Sequence, residues 1–413
     1  MENRLLIDAN GKQNELNDLF GIFFEDLNHA ADGGLYAELI QNRSFEFDKI
    51  DNPDYHAMTA WECVENSGKA AFHIETSNPV SARNPHYLVI DIKQPGKDVG
   101  VLNTGFNTGI PLKKGETYYF TCFAKRTEPQ EALEVSLRSR DGKVYTSASF
   151  HVEADWTKTE LTLVSPAEDN CARLAVTVKG ESSAALDFVS LFPADTYKGR
   201  RNGLRKDLAQ LLEAMHPRFL RFPGGCLVHD GSLDADDRNS MYRWKNTIGP
   251  LWERPARRSN WGYNQTLGLG YYEYFQLCED IGAKPIPVLP GGYDPHHRRV
   301  APLDELQPWI DDALDLIEFA NGDAQTTKWG AVRAKLGHEA PFGLEYIAVG
   351  NEEVGEPFFE RYPYFHKAIR EKYPDIKIIN TASPFAAGGE YERGWKSARE
   401  NRSDLVDEHY YMA

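Results

Sequence analysis

The chain has 413 residues, enough for two or three domains that each bury a core, and its 41% hydrophobic and 26% charged residues are those of an ordinary globular protein. A formal net charge of −16 excludes a polyanionic partner, because nucleic-acid binding rests on basic contacts to phosphate, and it suits a neutral ligand such as a carbohydrate. Five widely spaced cysteines (Cys63, Cys122, Cys171, Cys226 and Cys278) with no C-x-x-C exclude a disulfide scaffold or a cysteine-built zinc framework.

From the N-terminus, Met1–Asp8 contains no apolar signal core, and no later stretch is apolar enough to span a bilayer. A cytoplasmic location is therefore the expectation, or a secreted or periplasmic one if a signal peptide has been removed. Residues 1–48 hold one apolar run, Leu19–Phe24, which ends on the acidic pair Glu25-Asp26. Residues 49–195 carry short alternating strands divided by Gly, Pro, Asn and Asp, among them 87–92, 117–123, 133–137 and 174–178. Strands at that spacing with no helical pattern between them predict an antiparallel β-sandwich or jelly roll.

Beyond residue 195 the period changes. Leu204, Leu208, Leu211, Leu212 and Met215 fall at helical spacing, and Phe219–Phe222 reads as a strand. Helical patterns over 271–281, 309–320 and 365–373 then alternate with strands near 286–289, 346–349, 377–380 and 405–408. Alternating βα units predict a parallel sheet, open or closed as a barrel. The simplest topology makes the run near 20–24 the first strand of a (β/α)8 TIM barrel, with the sandwich inserted before the second strand. That gives six strands where a closed barrel has eight, so the expectation is a chain truncated at its C-terminus.

Motifs sit at the C-terminal ends of these strands, where such a barrel keeps its catalytic groups. Leu344–Val349 ends on Gly350-Asn351-Glu352-Glu353. A carboxylic acid beside an amide suits the acid/base half of a glycosidase site; equally, Asn351 could cap a following helix, with both glutamates in its first turn. Arg221-Phe222-Pro223-Gly224-Gly225-Cys226 places a tight turn where backbone can approach a ligand, and Arg221 could pair with a carboxylate there or simply precede a plain βα turn. Cys226 reads as a packing residue rather than a nucleophile. Glu25 could reach a sugar hydroxyl or be a loop carboxylate. The long loop with Trp244, Ile248-Gly249-Pro250, Arg254-Pro255 and Trp261 could shape a pocket or anchor the fold. His409 and Tyr411 end the sixth strand, where an imidazole can tune a neighbouring carboxylate or lie half-buried. Signatures of phosphoryl transfer, hydride transfer, serine hydrolysis and zinc proteolysis are missing from the sequence.

Taken in order, Phe20–Asp26, Arg221–Gly225, Ile248-Gly249-Pro250 with Arg254-Pro255, Gly350-Asn351-Glu352 and His409-Tyr410-Tyr411 resemble the α-L-arabinofuranosidases of glycoside hydrolase family 51, retaining enzymes on a (β/α)8 barrel. The resemblance covers 19–48 and 196–413, and the segment between is similar to a carbohydrate-binding-like insert. It implies that Glu352 is the acid/base, that Asn351 binds the sugar's 2-hydroxyl and Glu25 its other hydroxyls, and that Arg221 supports the carboxylates. His409 and Tyr411 would flank the nucleophile, and Gly224, Cys226 and Trp244 complete the residues expected at the substrate. Asn246-Thr247 replaces the Asp-Gly usual for the family.

The family nucleophile is a Glu on the seventh strand, and no residue here matches it; Glu408 precedes His409 on the sixth strand and is not promoted. The substrate implied is an arabinose-containing glycan, without metal or organic cofactor, and the family implies a trimer or hexamer. Two other readings remain open: a retaining glycosidase of the same clan acting on xylan or glucan, and an inactive carbohydrate-binding protein using Trp61 or Trp156, both of which could equally be core.

Overall fold

A computed structural model describes residues 17–126 and 132–411. Met1–Asp8, where no targeting segment is expected, and Met412–Ala413 lie outside the described residues. Among the described residues no helix is long and apolar enough to cross a membrane.

Six parallel strands form one curled sheet in chain order: Ile22–Phe23, Phe219–Phe222, Lys284–Leu289, Tyr346–Val349, Lys377–Thr381 and Leu405–Asp407. Each is short; the four inner strands are largely buried and carry β-branched or aromatic residues, as barrel strands covered on both faces do, while the two edge strands are partly exposed. Helices Lys206–Ala214, Tyr271–Ile281, Gln307–Asn321, Glu356–Lys372 and Gly389–Asn401 cross back between successive strands from the second onward or lead into the second. The register pairs Phe23 with Arg221, Val349 with Leu289 and Asn380, and Thr381 with Asp407, which brings the C-terminal ends of all six strands to one rim.

Three helices depart from the sequence reading, one of them Lys328–Lys335, which that reading left unassigned between the 309–320 helix and the fourth strand. Glu356–Lys372 starts well before Phe365, because Pro363 reads as a breaker but is accommodated inside the helix. Gly389–Asn401 is absent from the pattern because only Gly394, Ser397 and Ala398 are buried, too few apolar positions to mark a stripe.

Between the first and second parallel strands the chain builds two antiparallel sheets. One runs in the order 157–164, 117–126, 184–193, 87–94 and 69–75; the other runs 61–66, 98–103, 169–178, 132–138 and 144–151. Leu88, Ile90, Val101, Phe120, Val135, Leu174, Val176 and Leu191 interdigitate between them as a second core, separate from that of the parallel sheet. Trp61 belongs to this core, its Nε1 donating to the Asn42 carbonyl at 2.9 Å. Trp156 is half-buried edge-on to Tyr87. The sandwich is tied to the barrel loops by polar contacts. Asn84 bonds the backbone of Trp252, Arg254 and Ala256, and Arg238 reaches Asp51 at 2.6 Å and Glu46 at 3.3 Å.

Candidate active site

The fourth strand delivers Asn351 and Glu352 through a strained turn. Gly350 has φ +81° and Glu352 itself has φ +49°, a left-handed conformation that a glutamate adopts only where the surroundings impose it. The next helix begins at Glu356 with Gly355 before it, so Asn351 caps nothing and Glu352 and Glu353 lie outside the first turn. The turn instead aims the side chains at the rim. Asn351 is fully buried, and its Oδ1 accepts from Arg221 Nη2 at 2.8 Å. Its Nδ2 has no partner among the described residues. A buried amide donor left free costs stability unless a ligand satisfies it, so this group is placed to receive a hydroxyl oxygen.

Glu352 is held from the sixth strand. His409 Nδ1 lies 2.7 Å from Glu352 Oε1, the Tyr411 hydroxyl donates to the same oxygen, and His409 Nε2 lies 3.1 Å from Asp407 Oδ1. Asp407 in turn receives Arg221 Nη2 at 2.9 Å. Arg221, Asp407, His409 and Glu352 are thus one alternating chain of charge around the rim. Burial favours a protonated Glu352, but the donors His409 and Tyr411 outweigh it and hold the carboxyl below its ordinary value. Burial likewise opposes charge on Asp407 and His409; their mutual hydrogen bond and Arg221 nevertheless bring Asp407 down to about 2, and the two carboxylates lift His409 to about 9.

Glu25 reaches the same rim from the first strand and accepts from Trp261 Nε1 at 3.1 Å. Gly224 and Gly225 make room for it: a Cβ on Gly224 would lie 2.8 Å from Glu25 Cγ, and one on Gly225 would lie 3.3 Å from Glu25 Oε2. Asp26, the other half of the acidic pair, turns inward and is saturated by Ala31 N, Gln265 and Tyr263. The rim therefore gathers Glu25, Arg221, Gly224, Cys226, Asn351, Glu352, His409 and Tyr411.

Trp244 is the correction. It is 0% exposed, donates to the Asp312 carbonyl at 2.8 Å and lies against Phe319 and Trp329, so it anchors its loop and cannot touch a substrate. Arg254 has a similar office, clamping Glu273 at 2.8 and 3.0 Å. The tryptophan of that loop that does reach the rim is Trp261. Asp407 is the group that sequence reasoning missed; it lies two residues before His409, hence on the same face of the strand, which was the available signal. Glu408 faces the other way, bonded to Tyr391 at 2.7 Å and Trp395 at 2.5 Å. Cys226 Sγ stands 3.7 Å from Glu352 Oε2, so it is not merely a packing residue.

Known proteins resemble this chain over both of its parts. Residues 211–413 match the family model described as an alpha-L-arabinofuranosidase 1 domain, and residues 37–184 match a carbohydrate binding domain. An extracellular exo-alpha-L-arabinofuranosidase of Streptomyces chartreusis is 44% identical over 98% of this chain and 49% of its own length. Alpha-L-arabinofuranosidase 1 of Arabidopsis thaliana is 38% identical over 96% of this chain and 56% of its own. The solved structure of an arabinose-bound α-L-arabinofuranosidase of glycoside hydrolase family 51 superposes with a TM-score of 0.77 at 33% identity, over 89% of this chain and 59% of that one. The chain thus spans about half the length of the curated relatives it matches.

Proposed function

The chain belongs to the α-L-arabinofuranosidases of glycoside hydrolase family 51, and we propose that the whole protein is a retaining glycosidase that removes terminal α-L-arabinofuranosyl units from arabinose-containing polysaccharides or oligosaccharides. The observation that carries this reading is the rim pair: Glu352 held by His409 and Tyr411, beside the free amide donor of buried Asn351. Glu352 is the acid/base. It gives its proton to the leaving oxygen, then takes one from the water that releases the sugar. Asn351 Nδ2 binds a sugar hydroxyl, and Glu25, backed by Trp261, binds others.

Such chemistry takes a second carboxylate, ionised and about 5–5.5 Å away, to attack the anomeric carbon. We assign it to a strand outside these 413 residues, on the family resemblance and on the greater length of the relatives. Its arrival also reconciles the low-lying Glu352 with its task. A like charge nearby raises the carboxyl towards neutrality, and His409 can surrender its share of the proton to the Glu352 side of the pair. Arg221 and Asp407 are positioning residues that orient Asn351 and His409.

The name of the Streptomyces relative supports action outside the cell, the secreted alternative of the expectation rather than its cytoplasmic form. Assembly as a trimer or hexamer and glycan binding by the sandwich remain part of the same proposal.

The test is hydrolysis of an aryl α-L-arabinofuranoside by the full-length protein, followed by NMR. The first product is expected to keep the anomeric configuration of the substrate; inversion, or a folded full-length protein without turnover, overturns the reading. Glu352→Gln should cost about 10²–10⁴-fold on substrates with poor leaving groups and much less on activated aryl glycosides, with azide restoring turnover of the latter. Equal loss on both substrates would reject the acid/base role.

A further inference from the structure

We propose that Cys226, His229 and His296 form a binding site for a divalent transition ion of the zinc class, set against Glu352. Cys226 and His229 are three residues apart across one short helical turn, and His296 comes from the loop after the third parallel strand. Their ligand atoms all lie within 4.8 Å of one another. His229 Nε2 and His296 Nε2 are 3.2 Å apart, and two imidazole nitrogens about 2.0–2.1 Å from a tetrahedral ion are separated by about 3.3 Å.

The surroundings are those of a built ligand set. His229 Nδ1 lies 2.9 Å from Glu353 Oε1, with both side chains almost wholly buried. That carboxylate–imidazole pair places the ring proton on Nδ1 and turns the Nε2 lone pair towards His296 and Cys226. Glu353 Oε1 also accepts from the Asn351 backbone N–H at 3.4 Å, and Oε2 has no partner among the described residues, so the bond to His229 is the one side-chain contact of this buried carboxylate. The loop bearing His296 is pinned by buried Asp294, which accepts from the backbone N–H of His296 at 2.9 Å. His296 itself is exposed, which gives the ion a path in. The neighbouring group Asp230, Asp294 and His297 is a poorer candidate, because Arg299 already neutralises Asp294 at 3.1 Å.

One thiolate and two imidazoles select zinc, cobalt or copper over magnesium or calcium. Binding replaces the Cys226 thiol proton by a sulfur–metal bond and releases that proton to solvent. With Sγ 3.7 Å from Glu352 Oε2, the fourth position falls to that carboxylate or to a water beside it. A bound ion would then tie up Glu352 and inhibit. This consequence rests on Glu352 being the acid/base; ion binding does not.

Cobalt(II) titrated into the full chain, folded by circular dichroism, should give one equivalent of thiolate-to-cobalt charge transfer with the strong visible bands of a four-coordinate ion, reversed by zinc. Glu353→Gln should weaken cobalt binding about 10–100-fold, and His296→Ala, at an exposed position, at least as much. Absence of the thiolate band, or unchanged cobalt affinity in His296→Ala, overturns the site. Full arabinofuranoside hydrolysis by the cobalt-loaded full-length protein overturns the inhibitory consequence.

Discussion

His409 stands between two carboxylates, 2.7 Å from Glu352 and 3.1 Å from Asp407, and its charge is what lets both stay ionised side by side. Its pKa is raised from 6.5 to about 9, so its contribution to stability is fully present below about 6.5 and is lost as the pH climbs through about 9. Asp407 has the opposite sense: depressed from 3.8 to about 2, it contributes above 3.8 and loses that contribution as the pH falls towards about 2. The stability difference between the wild type and His409→Gln should therefore be widest between about pH 4 and 6.5 and shrink by about pH 9.5. Urea unfolding at several pH values reads it directly, and a difference that does not change with pH would mean that His409 is neutral in the fold. At this scale the sequence exposed Glu352, Asn351, Arg221 and His409 because each ends or closes a strand with a polar group. It hid Asp407 among the other acids of Asp404–Glu408, and it could not tell Trp244 from Trp261, since two loop tryptophans look alike until packing buries one.

The turn after the fourth strand shows how an element creates the site. Gly350 holds φ +81°, and a Cβ there would sit 2.6 Å from the Phe358 ring and 2.7 Å from Glu353 Cγ. Gly350→Ala should destabilise by about 1–3 kcal/mol from backbone strain and overlap together. It should also displace Asn351 and Glu352, so that activity falls further than stability accounts for; a variant with native turnover would mean that the turn is merely permissive. Strands and their order were legible because short apolar runs alternate with helical patterns beyond residue 195, and the second, third and fourth of the six strands run into a glycine turn. Helix Gly389–Asn401 was not, because a helix that buries only small residues leaves no period to read.

For the whole molecule, the six-stranded sheet has two edges unpaired among the described residues, and both carry exposed apolar side chains. Phe20 and Phe23 are 55% and 52% exposed beside the first strand, and Leu405 and Tyr411 are 40% and 75% exposed at the sixth. Exposed edges of this kind invite pairing, and proteins ordinarily cover them. The sequence anticipated this imbalance by counting six strands against the eight of a closed barrel. It could not show that both edges carry exposed rings, which is a property of the curl. Barrel closure by two further strands, in a form as long as the Streptomyces relative, would cover both edges and bring the second carboxylate opposite Glu352 in a single step. Amide exchange at Phe23 and Val406 should then be at least about tenfold slower in the extended protein than in residues 1–413. The shorter chain should also bind a hydrophobic dye that the longer one excludes. Equal exchange in the two forms would mean that the edges are covered in some other way, and that the nucleophile reaches the rim by a route other than a seventh strand.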